Sequence, residues 1–218
     1  MIGMILAAGR GQRLMPITQK TPKPLLQIKG VTLIEHAINR LKQANIVDIV
    51  INVCYLGDQI QSYLGNGSAW GVRITYSIEQ SALETAGGII NALPLLGDKP
   101  FIVTNSDILC NYDLSQLALP KKSLAHLILV KNPAHNPTGD FALKQQRITF
   151  KRKSHTFAGI GIYHPKLFKA YSGNKQKLPL RPLLKMAAEK NQLSGELYSD
   201  YWQDIGTLER LALASQHK

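Results

Sequence analysis

Cysteine is scarce in this chain of 218 residues: Cys54 and Cys110 are the only two, they share no CxxC spacing, and they could close at most one bridge. Neither a disulfide framework nor a thiolate zinc site is indicated, and two free thiols near strand ends are expected. Long apolar runs are missing too. No window reaches the roughly 18 consecutive apolar residues that span a bilayer, and the first run stops at Gly9 without the charged start and cleavage site of a signal peptide. The expectation is a cytoplasmic protein with no membrane partner. No two histidines stand at metal-binding spacing, no Ser, His and Asp set suggests a covalent nucleophile, and His36, His126 and His164 read as packing residues. Internal repeats and low-complexity tracts are also lacking. With 44% apolar residues, the chain is long enough to bury one sizeable core, so a single domain over 1–218 is expected.

Acidic residues are nearly absent from one window. Residues 144–190 hold 12 Lys and Arg against Glu189 alone, a charge of +11, which leaves +1 for the rest of a chain whose net charge is +12. Such a field could mark a nucleic-acid footprint, steer a polyanionic small substrate, or be solvated charge with no role. No aromatic RNA-binding motif or helix-turn-helix pattern supports the first reading, and no nucleic-acid partner is expected.

The pattern of apolar residues alternates between strand and helix. Met1–Ala8 reads as a buried strand, and Leu33–Leu41 has helical spacing at 33, 34, 37, 38 and 41. Asp48–Cys54 is a second strand, followed by a short helix around Ile60–Leu64. A third strand, Val72–Ile78, alternates at 72, 74, 76 and 78. The segment SALETAGGIINALPLL reads as a helix, Phe101–Thr104 as a fourth strand and Leu124–Val130 as a fifth. This alternation predicts an α/β fold with three layers around a mixed, mostly parallel sheet. Beyond Lys131 the short probable strands Asp140–Leu143, Arg147–Phe150 and Gly159–Tyr163 suggest a small, partly antiparallel lobe on the substrate side. Leu183–Glu189 and Thr207–Ser215 look helical. Thr207 is a plausible N-cap with Arg210 three positions on, where a capping box would want Glu or Gln.

The stretch ILAAGRGQRLMPITQKTPKPL, Ile5–Leu25, carries the clearest chemistry. A strand runs into Gly9 and Gly11, then Arg13, and a loop later comes Lys23 between two prolines. Glycines let backbone N–H groups approach a bulky anion, while arginine and lysine supply full charge. A nucleoside triphosphate suits that combination. A dinucleotide-binding GxGxxG does not, because Leu14 stands where the third glycine would fall.

This stretch resembles the signature of the sugar-phosphate nucleotidyltransferases, the nucleotide-sugar pyrophosphorylases, which reads LAAG, any residue, G, a small residue, R, then P two steps on and a later PKP. Gln12 departs from it, since the family usually has Thr or Ser there. The blocks INVCYLGDQIQSYLGNGSAWG, ETAGGIINALPLLGDKPF, NPAHNPTGDFAL, TFAGIGIYHP and WQDIGTLERL extend the likeness along the whole chain, toward the branch that uses N-acetylmuramate 1-phosphate. The resemblance implies a nucleotide-diphospho-sugar transferase fold, with a nucleotide-binding half over about 1–130 and a sugar-binding lobe beyond it. It also implies UTP and a sugar 1-phosphate as partners, and Mg²⁺ as cofactor.

The implied nucleotide site comprises Ala8, Gly9, Gly11, Gln12, Arg13, Lys23 and Gly88. Arg13 would hold the β and γ phosphates, and Lys23 would bridge the α phosphate to the incoming sugar phosphate. Asp107 and Asp204 match the metal-binding aspartates, although each could simply shape a turn or a helix start; Ser106 replaces the usual glycine before the first. Asn105, Asp140, Glu79 and Gly159 are the implied substrate contacts. Thr85 and Gly87 would complete the nucleobase and sugar wall, and Glu84 could cap the helix there. The basic residues Lys151, Arg152, Lys153 and Arg181 are candidates to receive a substrate carboxylate. Oligomeric state stays open.

Overall fold

The computed structural model describes residues 1–171 and 176–216, so Lys175 of the basic window lies outside the described residues. In chain order the regular elements are β1 (Ile2–Leu6), β2 (Gln27–Ile28), β3 (Val31–Thr32), α1 (Leu33–Gln43), β4 (Asp48–Val53), α2 (Gly57–Leu64), β5 (Arg73–Ile78), α3 (Glu84–Leu96) and β6 (Phe101–Asn105). They continue with β7 (Ile108–Cys110), β8 (Ala125–Lys131), β9 (Ala142–Lys144), β10 (Arg147–Thr149), β11 (His155–Tyr163), α4 (Leu180–Glu189), β12 (Leu193–Leu197), β13 (Trp202–Asp204) and α5 (Leu208–Gln216). The central sheet runs β5-β4-β1-β6-β11-β8-β12-β10-β9.

Strand periodicity explains the three layers. Successive side chains of a strand point to opposite faces, and here both faces are covered. Ile5, Ile49, Ile51, Ile102 and Ile128 pack with Ile34, Ile38 and Leu41 of α1 and Ile60 of α2. Their neighbours Met4, Val50, Phe101, Val103 and Leu127 pack on the other side with Ile89 of α3 and Leu183 and Leu184 of α4. Each of these strands is therefore a continuous apolar run, as a doubly covered sheet requires. The helical spacing at 33, 34, 37, 38 and 41 is realised in α1, where all five residues are buried. Thr32 and Glu35 close a capping box at its start: the Glu35 N–H donates to Thr32 Oγ1 at 3.3 Å and the Thr32 N–H to Glu35 Oε2 at 2.7 Å.

The fifth expected strand does not sit beside the fourth. β8 runs parallel to β6, but β11 lies between them, antiparallel to both. β12 then pairs parallel to β8, and the antiparallel strands β10 and β9 finish that edge. The short strands after Lys131 thus extend the main sheet. At the other edge the alternation expected along β5 fails at its end: Ile78 is 65% exposed while Ser77 is buried. Among the described residues β5 pairs only with β4, and Ser77 Oγ accepts a hydrogen bond from Asn91 of α3 at 2.9 Å, which turns the polar side chain inward.

Parallel pairing aligns the carboxyl ends of β1, β4 and β6. Leu6 is in register with Asn52 on one side and Asn105 on the other, so residues 7–9 emerge between those two asparagines. Open sheets of this kind bind ligands at that rim. Because β8 and β12 run the same way, the turns after them share it, as do the loops leading into β11 and β13. No helix of the described residues is long and apolar enough to cross a membrane.

One buried cation braces this rim from below. Arg40 of α1, 6% exposed, donates to the Ile108 carbonyl at 3.2 Å and to the Thr104 hydroxyl at 3.1 Å, tying together residues on both sides of Asp107. Arg40→Ala would remove both of these hydrogen bonds from the interior. It should lower the unfolding free energy by about 2–4 kcal/mol in urea denaturation, and an unchanged midpoint would contradict the brace.

Candidate active site

A cleft of about 610 Å³ opens at the rim, lined by residues 6–14, Lys23, Pro24, Asn52, Glu79, Ala82–Thr85, Asn105–Asp107 and Gly206. Its floor is the glycine-rich loop. A Cβ added at Gly9 would meet no atom within 4 Å, so the space before it belongs to the cleft. Gly11 is different. It has a left-handed backbone (φ 63°), and a Cβ there would press on Thr18 and on Lys23 Cβ at 3.0 and 3.1 Å. Thr18 Oγ1 donates to the Gly11 carbonyl at 2.9 Å, folding the loop back so that Lys23 stands beside it. Gln12 opens a short 3-10 turn and is exposed, as is Arg13.

The charged groups here come in two pairs, one on the cleft lining (Lys23 with Asp107) and one just outside it, since Asp204 and Arg210 are not among the lining residues. Lys23 Nζ is ion-paired with Asp107 Oδ2 across 84 positions of sequence, with both side chains mostly buried. Asp107 leaves β6, and its carbonyl accepts the Ile205 N–H at 2.8 Å. β7 and β13 form an antiparallel ribbon in which Asp204 is opposite Ile108. Asp107 and Asp204, nearly a hundred residues apart, therefore occupy adjoining positions of one ribbon. Arg210 Nη1 donates to both carboxylate oxygens of Asp204, at 2.6 and 2.8 Å, and His135 Nε2 lies 3.0 Å from Oδ1.

The far wall depends on a buried polar relay. The Ala7 N–H donates to Asn52 Oδ1 at 2.9 Å, Asn52 Nδ2 donates to Glu79 Oε1 at 2.7 Å, and Glu79 Oε2 accepts the Leu83 N–H at 3.1 Å. Glu79 lines the cleft, yet both of its oxygens are engaged. Burial raises its carboxyl above the usual range, against the opposing pull of the bonds from Asn52 and Leu83. Gly88 lies beneath this relay and outside the cleft lining: a Cβ there would collide with Glu79 and Asn52. Gly87 makes room for the backbone at Gln176, and the N–H groups of Ala86 and Gly87 both donate to the Leu178 carbonyl at 3.0 Å.

Glu84 does not cap α3. Leu83 holds the N-cap position with no side-chain bond, and Glu84 follows it with a left-handed backbone (φ 61°) at the cleft wall. For a residue with a side chain that conformation is costly, and such strain gathers at ligand sites.

Asn105 and Gly159 come together, since a Cβ on Gly159 would stand 2.9 Å from Asn105 Nδ2, and Gly159 (φ 76°) occupies the irregularity of β11 between Phe157 and Gly161. Asp140 is not brought to the cleft lining; its Oδ2 accepts the Phe157 N–H at 2.9 Å and so holds the same irregularity. Cys54 and Cys110 are free thiols at the ends of β4 and β7.

Three participants were not singled out from the sequence: Asn52, His135 and the acid-binding role of Arg210. A polar residue inside the apolar run DIVINVC was the available signal for Asn52. For Arg210 it was a basic residue at a position where a helix start favours an acid.

A cradle, two cations and two aspartates on one ribbon constitute the equipment for phosphate chemistry, and comparison with known proteins agrees. The family model for nucleotidyl transferases matches residues 2–218. The chain belongs to that nucleotidyl transferase family. It is 46% identical to the N-acetylmuramate alpha-1-phosphate uridylyltransferase of Neisseria meningitidis serogroup B, over 97% of this chain and 95% of that one. A protein of the same name from Caulobacter vibrioides is 30% identical over 94% and 91% of the two chains. A solved structure from Bacillus anthracis, assigned as a glucose-1-phosphate thymidylyltransferase, covers 100% of this chain and 97% of its own, with a TM-score of 0.85 and 26% identity. Nucleotidyl transferases of this family generally use a divalent metal. The donor set fits one: Asp107 and Asp204 are two carboxylates on one ribbon beside a phosphate cradle, and a small hard cation commonly takes one or two carboxylates plus phosphate oxygens.

In this transferase the Asn52 relay ties the glycine-rich loop to the opposite wall. Asn52→Ala should cost about 1–3 kcal/mol of stability and weaken nucleotide binding more than it slows turnover. Unaltered nucleotide affinity in a titration would contradict that role.

Proposed function

We propose that this enzyme transfers a uridylyl group from UTP to N-acetylmuramate 1-phosphate, releasing pyrophosphate, with Mg²⁺ as its metal. The observation that supports the reaction type is the Lys23–Asp107 pair on the glycine-rich cradle, with the Arg210–Asp204 pair on the adjoining ribbon. The sugar and the base rest on the likeness to the Neisseria enzyme.

An oxygen of the sugar phosphate attacks the α phosphorus, a new P–O bond forms, and the bond to the β phosphate breaks with its electron pair going to pyrophosphate. Two polyanions must meet, and at about 4 Å each pair of like unit charges repels by roughly 4 kcal/mol at an effective dielectric near 20. Lys23 answers this at the reacting phosphates, bridging the α phosphate and the sugar phosphate. Arg13 holds the terminal phosphates and stabilises them as they leave. Backbone N–H groups of residues 8–12 orient the triphosphate, and Asn105 meets the sugar beside Gly159. Asp107 and Asp204 would hold the magnesium ion, which when bound would supply further charge neutralisation on phosphate oxygens.

The basic turn supports an acidic sugar. Lys151, Arg152 and Lys153 lie in the turn leading into β11, at the rim that carries the cleft, and Arg181 stacks 5.0 Å over the Phe150 ring. N-acetylmuramate bears a lactyl carboxylate besides its phosphate, so it carries an extra negative charge toward this field.

A panel of UTP, TTP, CTP and GTP against the 1-phosphates of N-acetylmuramate, N-acetylglucosamine, glucose and mannose, scored by pyrophosphate release, tests the proposal. UTP with the muramate substrate should give the highest kcat/KM, by about tenfold or more over sugars lacking the carboxylate. Equal efficiency with glucose 1-phosphate would overturn the choice of sugar.

A further inference from the structure

We propose that Arg210 is a second guanidinium for the triphosphate, held in reserve on Asp204 and handed to the terminal phosphates when the divalent cation takes that carboxylate. The inference rests on the reading of the cleft as a metal-dependent nucleotidyl transfer site.

Three independent observations converge on it. Arg210 grips both oxygens of Asp204 through one nitrogen, with His135 Nε2 a further 2.6 Å away, and its side chain is only 12% exposed. A cation bound by Asp204 and the guanidinium of Arg210 compete for the same lone pairs. The second observation is the glycine between them. A Cβ on Gly206 would collide with Arg210 Nη2 and stand 3.0 Å from Arg13 Nη2. Both guanidinium groups thus reach one spot on the cleft wall, since Gly206 is among the lining residues. Arg13 has no hydrogen-bond or ion-pair partner among the described residues. Like charges brought side by side at a cleft repel unless an anion lies between them, and two arginine forks are the usual clamp for phosphate oxygens. The third observation is the helix start. The Arg210 N–H is capped by Thr207 Oγ1 at 3.3 Å, so Arg210 is the third residue of α5, where the macrodipole disfavours a positive charge. Stability of α5 does not explain an arginine there.

The exchange has an order. Asp204 is neutralised by an internal cation until a phosphate-bound metal arrives, and the displaced guanidinium needs only to swing about the Gly206 backbone to join Arg13. Metal capture and pyrophosphate grip are thereby coupled through one side chain.

Calorimetry on the full chain separates this from a structural role. Magnesium chloride alone, and pyrophosphate in the presence of magnesium, are each titrated into the wild type, Arg210→Gln and Arg210→Lys. Arg210→Gln should bind magnesium alone about tenfold more tightly, having lost the competitor, and pyrophosphate about tenfold more weakly. Arg210→Lys, whose shorter side chain still carries one ammonium able to rest on Asp204, should show a smaller gain for magnesium while retaining most of the affinity for pyrophosphate. Arg210 acting only as a scaffold for Asp204 would weaken both ligands together, and that result, or unchanged affinities, overturns the inference. Failure of the wild type itself to bind pyrophosphate with magnesium would sink the reading of the cleft along with it.

Discussion

Lys23 and Asp107 meet across 84 positions of sequence, and the arrangement of the site depends on that pairing. A reaction between a triphosphate and a sugar phosphate is opposed mainly by charge, so the protein must store cations where phosphates will sit without leaving them unpaired in the meantime. Its solution is to rest them on the same carboxylates that suit a metal ion. Lys23 rests on Asp107 and Arg210 on Asp204. These two ion pairs are each neutral as they stand, and an arriving metal and its phosphates can exchange partners with them.

The fold makes this economical in parts. Parallel pairing brings Leu6, Asn52 and Asn105 into one register, which presents the phosphate loop, the far wall and the first aspartate at a single rim. The β7–β13 ribbon carries the second aspartate to the first. Arg40 ties together residues on both sides of Asp107 from beneath, and the relay from Ala7 through Asn52 and Glu79 to Leu83 keeps the two walls of the cleft at a fixed separation. Each of these supports sets the position of a residue that lines the cleft or adjoins it.

Local signals in the sequence were reliable where a single element decides the outcome. The apolar spacing of α1, the β1 run into Gly9 and the Thr207 cap all appear as read. The pairing of strands was not legible in the same way, because β11 enters between β6 and β8 from thirty residues downstream and no local pattern encodes that insertion. Ile78 departs from the alternation that holds at Val72 and Ile74, because at the end of β5 Ser77 turns inward to Asn91 of α3. At the site, Arg13, Lys23, Asp107 and Asn105 were legible from motif and position and do line the cleft. Of the other expected contacts, Glu79 lines the cleft with both oxygens hydrogen-bonded within the protein, while Gly88 and Asp140 lie outside the lining. Arg210 carried a visible anomaly at its helix start, but its partner Asp204 is fixed by the turn around Gly206, which only the three-dimensional structure displays.

The central claim is that the aspartates serve a metal while the paired cations serve phosphate. The most direct measurement is the affinity for UTP, by calorimetry, as magnesium is raised from zero, in the wild type and in Asp107→Asn. UTP binding in the wild type should tighten with magnesium by about tenfold or more. In Asp107→Asn that response should vanish, while affinity without magnesium should rise because Lys23 is released toward the phosphates. An equal magnesium response in both proteins would contradict the account.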